Sequence, residues 1–339
     1  MNRRNVLGGL AMSLPTCAFF GAEARANELF DYDNLGRLVR VTYADGRVLT
    51  YQYDVMGNRT LVHSGGQGPG TPETPETPPF NATISVPGGG AVNLRSLANA
   101  AGYTGAESAT IQFVVAAGIT ILGGGGIGAT PDGGLGIDTG TWPTEPHAPS
   151  LSLLVRGQVY GGGGKGGDGS AIATVPDGGF PGGAGGDAVV CRAPIAITIE
   201  PGGAVRAGGG GGGGGGNSSY WFRLGQRTNY LASGGGGGGF PNGGASTSWT
   251  DVRAYPGQAG TLHGGGVGGA GSVTTVRGTE GVAGAGGVGG GSGAAGATGG
   301  VGVPSAQEPG AGGPGGYAIR KSGHHVPVTN NGTISGAVA

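Results

Sequence analysis

Two segments of the 339-residue chain concentrate the side chains that could do chemistry. Residues 217–233 (NSSYWFRLGQRTNYLAS) carry Tyr220, Trp221, Phe222 and Tyr230 together with Arg223 and Arg227. Residues 245–263 (ASTSWTDVRAYPGQAGTLH) add Trp249, Arg253, Tyr255 and His263. Tyr, Trp and Arg dominate binding hot spots, because they offer large, stiff contact area and a few directed donors. Exposed rings also stack on sugar faces. Tyr220, Trp221, Phe222, Arg223, Arg227, Tyr230, Trp249, Arg253 and Tyr255 are therefore candidate contacts for a receptor or glycan. The same rings could instead pack on one another as a cap, and such a cap could itself present the binding face.

Other chemistry does not assemble. Lys165 follows a glycine run but precedes Gly166, where a phosphate-binding loop requires Ser or Thr. Gly182 to Val190 fits a calcium nonapeptide and Gly163 to Asp168 fits its first six positions, but such sites need tandem copies, so Asp168 and Asp187 are not assigned a cation. His324-His325 is a lone pair, and the carboxylates are scattered through loops. The sequence predicts no enzyme, no cofactor and no metal. A net charge of -1 makes no electrostatic case for nucleic acid.

What must position the aromatic segments is glycine. The chain has 88 glycines, 6% aromatic and 11% charged residues. Glycine packs no side chain and loses the most backbone entropy on folding, so an ordinary apolar core is hard to build. Collagen is excluded, since glycine occurs in runs rather than at every third position. The runs include Gly161–Gly164, Gly208–Gly216 and Gly234–Gly239. Polyproline II geometry leaves every peptide group free to bond with a neighbouring chain, and only glycine lets backbones come that close. A helix on the outside of such a bundle tolerates GG-x, whereas a central one must be glycine throughout. The run at 208–216 would be a central rod about 28 Å long at ~3.1 Å per residue. A flexible linker would instead show admixed serine and no aromatic clusters.

Strand signals precede the runs: Thr83–Val86, Thr110–Val115 and Leu151–Val155, with a short helix expected within Asn93–Ala101. A small motif recurs as Gly157-Gln158-Val159-Tyr160-Gly161, Gly203-Ala204-Val205-Arg206-Ala207 and Gly332-Thr333-Ile334-Ser335-Gly336. The first two lead directly into glycine runs, which argues for a specified architecture. The expected fold is mainly β and polyproline II: a small β-domain, then a polyglycine II bundle with protruding loops.

The amino-terminal part differs. Arg3-Arg4, an apolar stretch from Val6 to Phe20 and the small residues ending at Ala26 read as an export signal of twin-arginine-like type over 1–26. A lipoprotein signal ending at Cys17 is the alternative. Cleavage after Ala26 leaves Cys191 as the one cysteine, without an internal disulfide. Tyr32-Asp33-Asn34-Leu35-Gly36-Arg37 recurs as Tyr53-Asp54-Val55-Met56-Gly57-Asn58-Arg59. Between them, Leu38–Tyr43 and Val48–Tyr53 are strands joined by Ala44-Asp45-Gly46-Arg47, a hairpin signal. This module, 27–63, resembles the YD repeat of Rhs and teneurin-type proteins. Residues 64–79 (SGGQGPGTPETPETPP) form a Pro/Thr/Glu linker.

From about residue 80 onward the organisation resembles glycine-rich bacteriophage tail-fibre proteins, the receptor-recognising adhesins at fibre tips. Gly140–Pro143 (GTWP), Gly182–Ala188 and the ending Asn330–Gly336 carry the resemblance. It implies a polyglycine II bundle whose loops bind a host surface protein or polysaccharide. The expected organisation is thus signal 1–26, YD module 27–63, linker 64–79, small β-domain 80–156 and bundle with C-terminal strand 157–339. The expected function is an exported, non-enzymatic adhesin at the periplasm, cell surface or exterior, with no transmembrane span. Its expected partners are a cell-surface protein or polysaccharide receptor and other YD-repeat or fibre subunits. A structural or ice-binding glycine bundle, and a phage tail-fibre protein with a misassigned start, are the alternatives.

Overall fold

The computed structural model describes residues 28–44, 46–65, 78–145, 147–170, 179–222, 227–248, 254–276, 279–303 and 307–339. The expected signal and most of the expected linker lie outside these. The chain divides into two compact units, Met1–Pro75 and Glu76–Ala339.

The first unit is a four-stranded antiparallel meander of β1 (Leu29–Tyr32), β2 (Leu38–Thr42), β3 (Val48–Tyr53) and β4 (Arg59–Gly65). The expected hairpin is β2–β3. The duplication in sequence is a duplication in structure. Asp33 accepts the amides of Leu35 and Arg37, and Asp54 accepts those of Met56 and Asn58, through the same carboxylate oxygen in each turn. Gly36 and Gly57 close these turns at φ 77 and 88, a region that side chains disfavour. Each pair carries a β-bulge at its tyrosine, between Asp31 and Tyr32 and between Gln52 and Tyr53.

In the second unit the chain winds into a three-faced parallel coil. Its first turn holds β5 (Phe80–Ser85), β6 (Val92–Asn93) and helix α1 (Leu94–Ala100). The next turns are β7 (Ala109–Val115), β8 (Thr120–Leu122) and β9 (Ile137–Asp138), then β10 (Ser150–Val155), β11 (Gln158–Tyr160) and β12 (Val189–Val190). The chain then forms β13 (Ala196–Ile199) and β14 (Ala204–Arg206) before it leaves the coil. Outside the coil lie two hairpins, β15 (Ser218–Phe222) with β16 (Arg227–Leu231) and β17 (Val273–Val276) with β18 (Thr279–Val282). It returns as β19 (Tyr317–Arg320), β20 (Val328–Asn330), β21 (Thr333–Ser335) and β22 (Ala337–Val338). The faces are β20-β13-β10-β7-β5, β21-β14-β11-β8 and β22-β19-β12-β9-β6. All pairings among these strands are parallel.

The expected strands and helix occur in this coil, and the recurring small motif is one of its faces: β11, β14 and β21 stack in register. The three faces enclose one apolar core that includes Ile111, Phe113, Ile121, Ile137, Leu153, Val159, Val189, Ile197, Val205 and Ile319. Alternation along β7, buried at every second residue, puts its apolar set inside. Coil strands come from Phe80 through Val338, past residue 156 where the sequence reading drew the end of the β-domain. A parallel coil pairs residues far apart in sequence, which strand patterning cannot register. Asn93 caps α1 by accepting the Ser96 amide. Arg95 then lies over the rings of Tyr103 and Trp142 from the GTWP stretch, with centroid distances of 4.9 and 5.1 Å. Cys191 is buried in the core, and burial pushes its thiol up to about 12, so it stays an unreactive thiol.

Between the second and third faces the chain leaves the coil as glycine-rich runs, which bond to each other backbone to backbone. The run Gly208–Gly216 is buried along its whole length. Its amides at 208, 211 and 214 donate to the carbonyls of Gly186, Gly183 and Phe180. Those at 209, 212 and 215 donate to Phe240, Gly237 and Gly234, and those at 210, 213 and 216 to Ala294, Ala297 and Gly300. Its carbonyls accept from Gly316, Gly313 and Gly310, from Gly164 and Gly167, and from Gly290, Gly287 and Gly284. The bonding repeats every three residues and turns in three directions, so the buried peptide groups are satisfied without any sheet ladder.

Candidate functional site

The run Gly208–Gly216 starts at the coil, just after β14, and ends where β15 begins. Around that far end a collar of polar residues marks the change from glycine to loop. Ser170, Asn217, Ser218, Ser233, Ser246 and Ser272 are all buried there. Small hydroxyls suit this position: they fit between close backbones and bond the peptide groups that the glycine pattern no longer serves.

The collar joins several loop roots. The Ser233 hydroxyl accepts the Ser170 amide at 2.6 Å, and the Ser248 hydroxyl donates to the Ser233 carbonyl at 2.5 Å. The Ser218 hydroxyl donates to the Val303 carbonyl at 2.7 Å, and the Ser246 hydroxyl accepts the Gly257 amide at 2.9 Å. Ser272 donates its amide to Ala232 and accepts that of Ala283, while Val282 and Val303 bond mutually. The roots of segments far apart in sequence therefore meet at one end of the glycine runs.

Of the candidate residues, Tyr220, Trp221, Phe222, Arg227 and Tyr230 are brought together on the β15–β16 hairpin. Their register pairs Ser219 with Tyr230, Tyr220 with Asn229, Trp221 with Thr228 and Phe222 with Arg227. Buried Leu231 and Ser218 hold its base. Arg223, Trp249 and Arg253 lie outside the described residues. Tyr255 is exposed and sits at the collar, where its backbone bonds Ala270 and Gly235. The sequence reading missed the β17–β18 hairpin, which is rooted on the same collar through Ser272 and Ala283. Its signal was present: the β-branched stretch Val273-Thr274-Thr275-Val276, followed by Arg277-Gly278 and Thr279, is a hairpin pattern.

Charge is used sparingly here. Lys165 is bound by both carboxylate oxygens of Asp168, at 2.7 and 2.8 Å, and Asp168 also accepts the Thr247 amide at 2.7 Å. Burial alone raises the Asp168 carboxyl, but Lys165 and Thr247 outweigh it and hold the group below its ordinary value. A depressed folded-state pKa contributes stability above the unfolded value, about 3.9, which is lost as pH falls through the lower folded value. Hydrogen-exchange protection of Thr247 and Gly169 is therefore expected to fall in acid, below about pH 4. Asp168→Asn should lower it roughly tenfold at neutral pH and flatten the acid dependence. Protection unchanged in that variant would refute the role given to the carboxylate.

Asp187, the other carboxylate of the calcium-like pattern, accepts the Tyr317 amide at 2.8 Å and is clasped by Arg320. Both aspartates are committed to protein partners. Among the described residues no group of three or more His, Cys, Asp or Glu could hold a metal ion. Nor is any described helix long and apolar enough to cross a membrane. A hollow of about 460 Å³ lies beside Arg95 and Trp142 on the coil, not at the collar.

Residues 79–339 match the family model of the phage tail fibre adhesin Gp38, and residues 32–68 match the RHS repeat. No curated protein matches the chain. Among solved structures, the chain is similar to one chain of the gp37-gp38 adhesin tip complex of the bacteriophage S16 long tail fiber. The identity is 22% over 76% of this chain and 82% of that one, with a TM-score of 0.37.

Proposed function

The chain belongs to the phage tail fibre adhesins of the Gp38 family, and from that premise we propose that it is a recognition protein whose collar-rooted loops bind a cell-surface receptor. The observation that carries this reading is the convergence of the loop roots on one end of the glycine runs. Two of the three tryptophans, Trp221 and Trp249, belong to these loops. The contacts are Tyr220, Trp221, Phe222, Arg223, Arg227, Tyr230, Trp249, Arg253 and Tyr255, and the receptor is a surface protein or polysaccharide. The protein acts by binding and catalyses no reaction.

The runs serve as polyglycine II helices in a rigid bundle, a reading supported by the three-residue bonding period around Gly208–Gly216. Rigidity matters because loops on a stiff base lose less freedom on binding. The protein's further partners are other YD-repeat or fibre subunits. Residues 1–26 direct export, to the periplasm, the cell surface or the exterior.

Labelled full-length protein should adsorb saturably to intact Gram-negative cells that display its receptor. Protease treatment of the cells abolishes adsorption if the receptor is a protein, and periodate does so if it is a polysaccharide. Absence of saturable adsorption across a broad strain panel would refute the proposal.

A further inference from the structure

The two Tyr-Asp units of the first domain are stitched together in one direction. Arg37, in the first turn, bonds its own Asp33 through Nε at 2.7 Å and reaches the Asp54 carbonyl of the second turn at 3.3 Å. Its guanidinium lies 4.8 Å from the centroid of the Tyr53 ring. Tyr53 answers across the same junction, its hydroxyl donating to the Leu38 carbonyl at 2.8 Å. The tyrosine and aspartate of unit two are thus both engaged by unit one.

The repeat makes the equivalent groups of unit one predictable. Tyr32 and Asp33 stand where Tyr53 and Asp54 stand, with the same bulge and the same turn. Yet Tyr32 is 60% exposed, and among the described residues its hydroxyl has no hydrogen bond and its ring no cation. Among the described residues the Asp33 carbonyl receives only the Gly36 amide of its own turn. All four residues of β1 are exposed; the strand carries neither Lys nor Pro, and Asp31 is its one charged residue. The other end of the array is finished differently. Asn58 occupies the place of Arg37 and turns its amide back onto Asp54 at 3.0 Å.

We infer that the β1 edge is a docking site for a further Tyr-Asp unit, supplied by a partner polypeptide with tandem repeats of this kind. The incoming strand pairs with β1. Its arginine, at the position of Arg37, reaches the Asp33 carbonyl and the Tyr32 ring, and its backbone carbonyl accepts the Tyr32 hydroxyl. A second copy of this chain, stacked in sequence order, offers the short Asn58 instead and cannot span the junction. The 339 residues contain no third Tyr-Asp pair, so the unit comes from outside this sequence. This inference is independent of what the collar loops bind.

The test is hydrogen exchange on the full-length protein with a synthetic peptide of residues 28–43, which carries one unit and its arginine. Exchange at Leu29–Tyr32 is expected to slow, with no change at Arg59–Gly65. Arg37→Asn in the peptide, or Tyr32→Phe in the protein, should weaken the effect about tenfold and fivefold respectively. Because a free hairpin peptide is marginal in water, a second version duplicates residues 27–47 in tandem ahead of β1. The original β1 should then gain protection, and an added unit with Asn in place of its arginine should give little. Equal protection of both edges, indifference to the arginine, or no protection in the duplicated chain overturns the assignment. So does concentration-dependent protection of β1 without peptide, which would make the partner a second copy.

Discussion

Gly213→Ala is expected to destroy the fold of the glycine runs, with a loss of at least about 3 kcal/mol and little soluble, cooperatively melting protein. Gly213 is buried, donates its amide to Ala297 at 2.9 Å and accepts that of Gly287 at 2.8 Å. A methyl group there would stand 1.8 Å from the Gly310 carbonyl oxygen, which is backbone and is itself fixed by the bond from the Gly310 amide to Gly214. Nothing nearby is a flexible side-chain end, so relief requires the runs to separate and every bond across that junction to lengthen. Gly124→Ala is the control. Gly124 is exposed, and its added methyl meets nothing within 4 Å. That change should be neutral or stabilising by up to about 1 kcal/mol, because it restricts only the unfolded chain. Thermal unfolding followed by circular dichroism separates the two. Equal melting temperatures for both variants would show that backbone contact between runs does not hold this unit.

Trp221→Ala combined with Trp249→Ala is expected to cost binding without costing the fold. Hot-spot tryptophans contribute about 2 kcal/mol or more each, so receptor affinity should fall at least about 100-fold. Each single change should account for part of the loss. The β15–β16 hairpin is tied at its base by buried Ser218 and Leu231 and by the Ser218–Val303 bond, so removal of Trp221 leaves its anchorage in place. Circular dichroism and melting temperature should match the parent protein. Cell adsorption retained within about threefold would remove these two residues from the binding surface, and an equal fall for a Trp142→Ala control would point to a structural defect instead. Trp142 is a sensible comparison because it packs against Tyr103 and Phe113 in the coil wall.

Much of this architecture was legible locally. Asp-Gly at 45–46 and the duplicated Tyr-Asp turns announced the β2–β3 hairpin but not its flanking strands β1 and β4, because turn chemistry acts within a few residues. The strands Thr110–Val115 and Leu151–Val155 followed from side-chain alternation, and a short helix was expected within Asn93–Ala101, where α1 lies. The small motif at 157–161, 203–207 and 332–336 was seen as a repeat, but not as three rungs of one face. The candidate site was half legible. The composition of 217–233 singled out its aromatic cluster, whereas the plain hairpin at 273–282 drew no notice until its root proved to share the collar.

By itself, then, the sequence determined where backbone must approach backbone, where turns fall and which segments concentrate the aromatic side chains. Those are properties of residue type and near neighbours. Only the tertiary structure decided that the glycine runs leave a parallel coil between its second and third faces and return to it, and that Ser170, Asn217, Ser233, Ser246 and Ser272 meet at one end. The reason is physical: bonds such as Gly208 to Gly186 and Gly316 to Gly208 join identical residues over long stretches of chain. Glycine carries no side chain by which one pairing could be told from another in sequence. Register between the runs is set instead by the strands that deliver them.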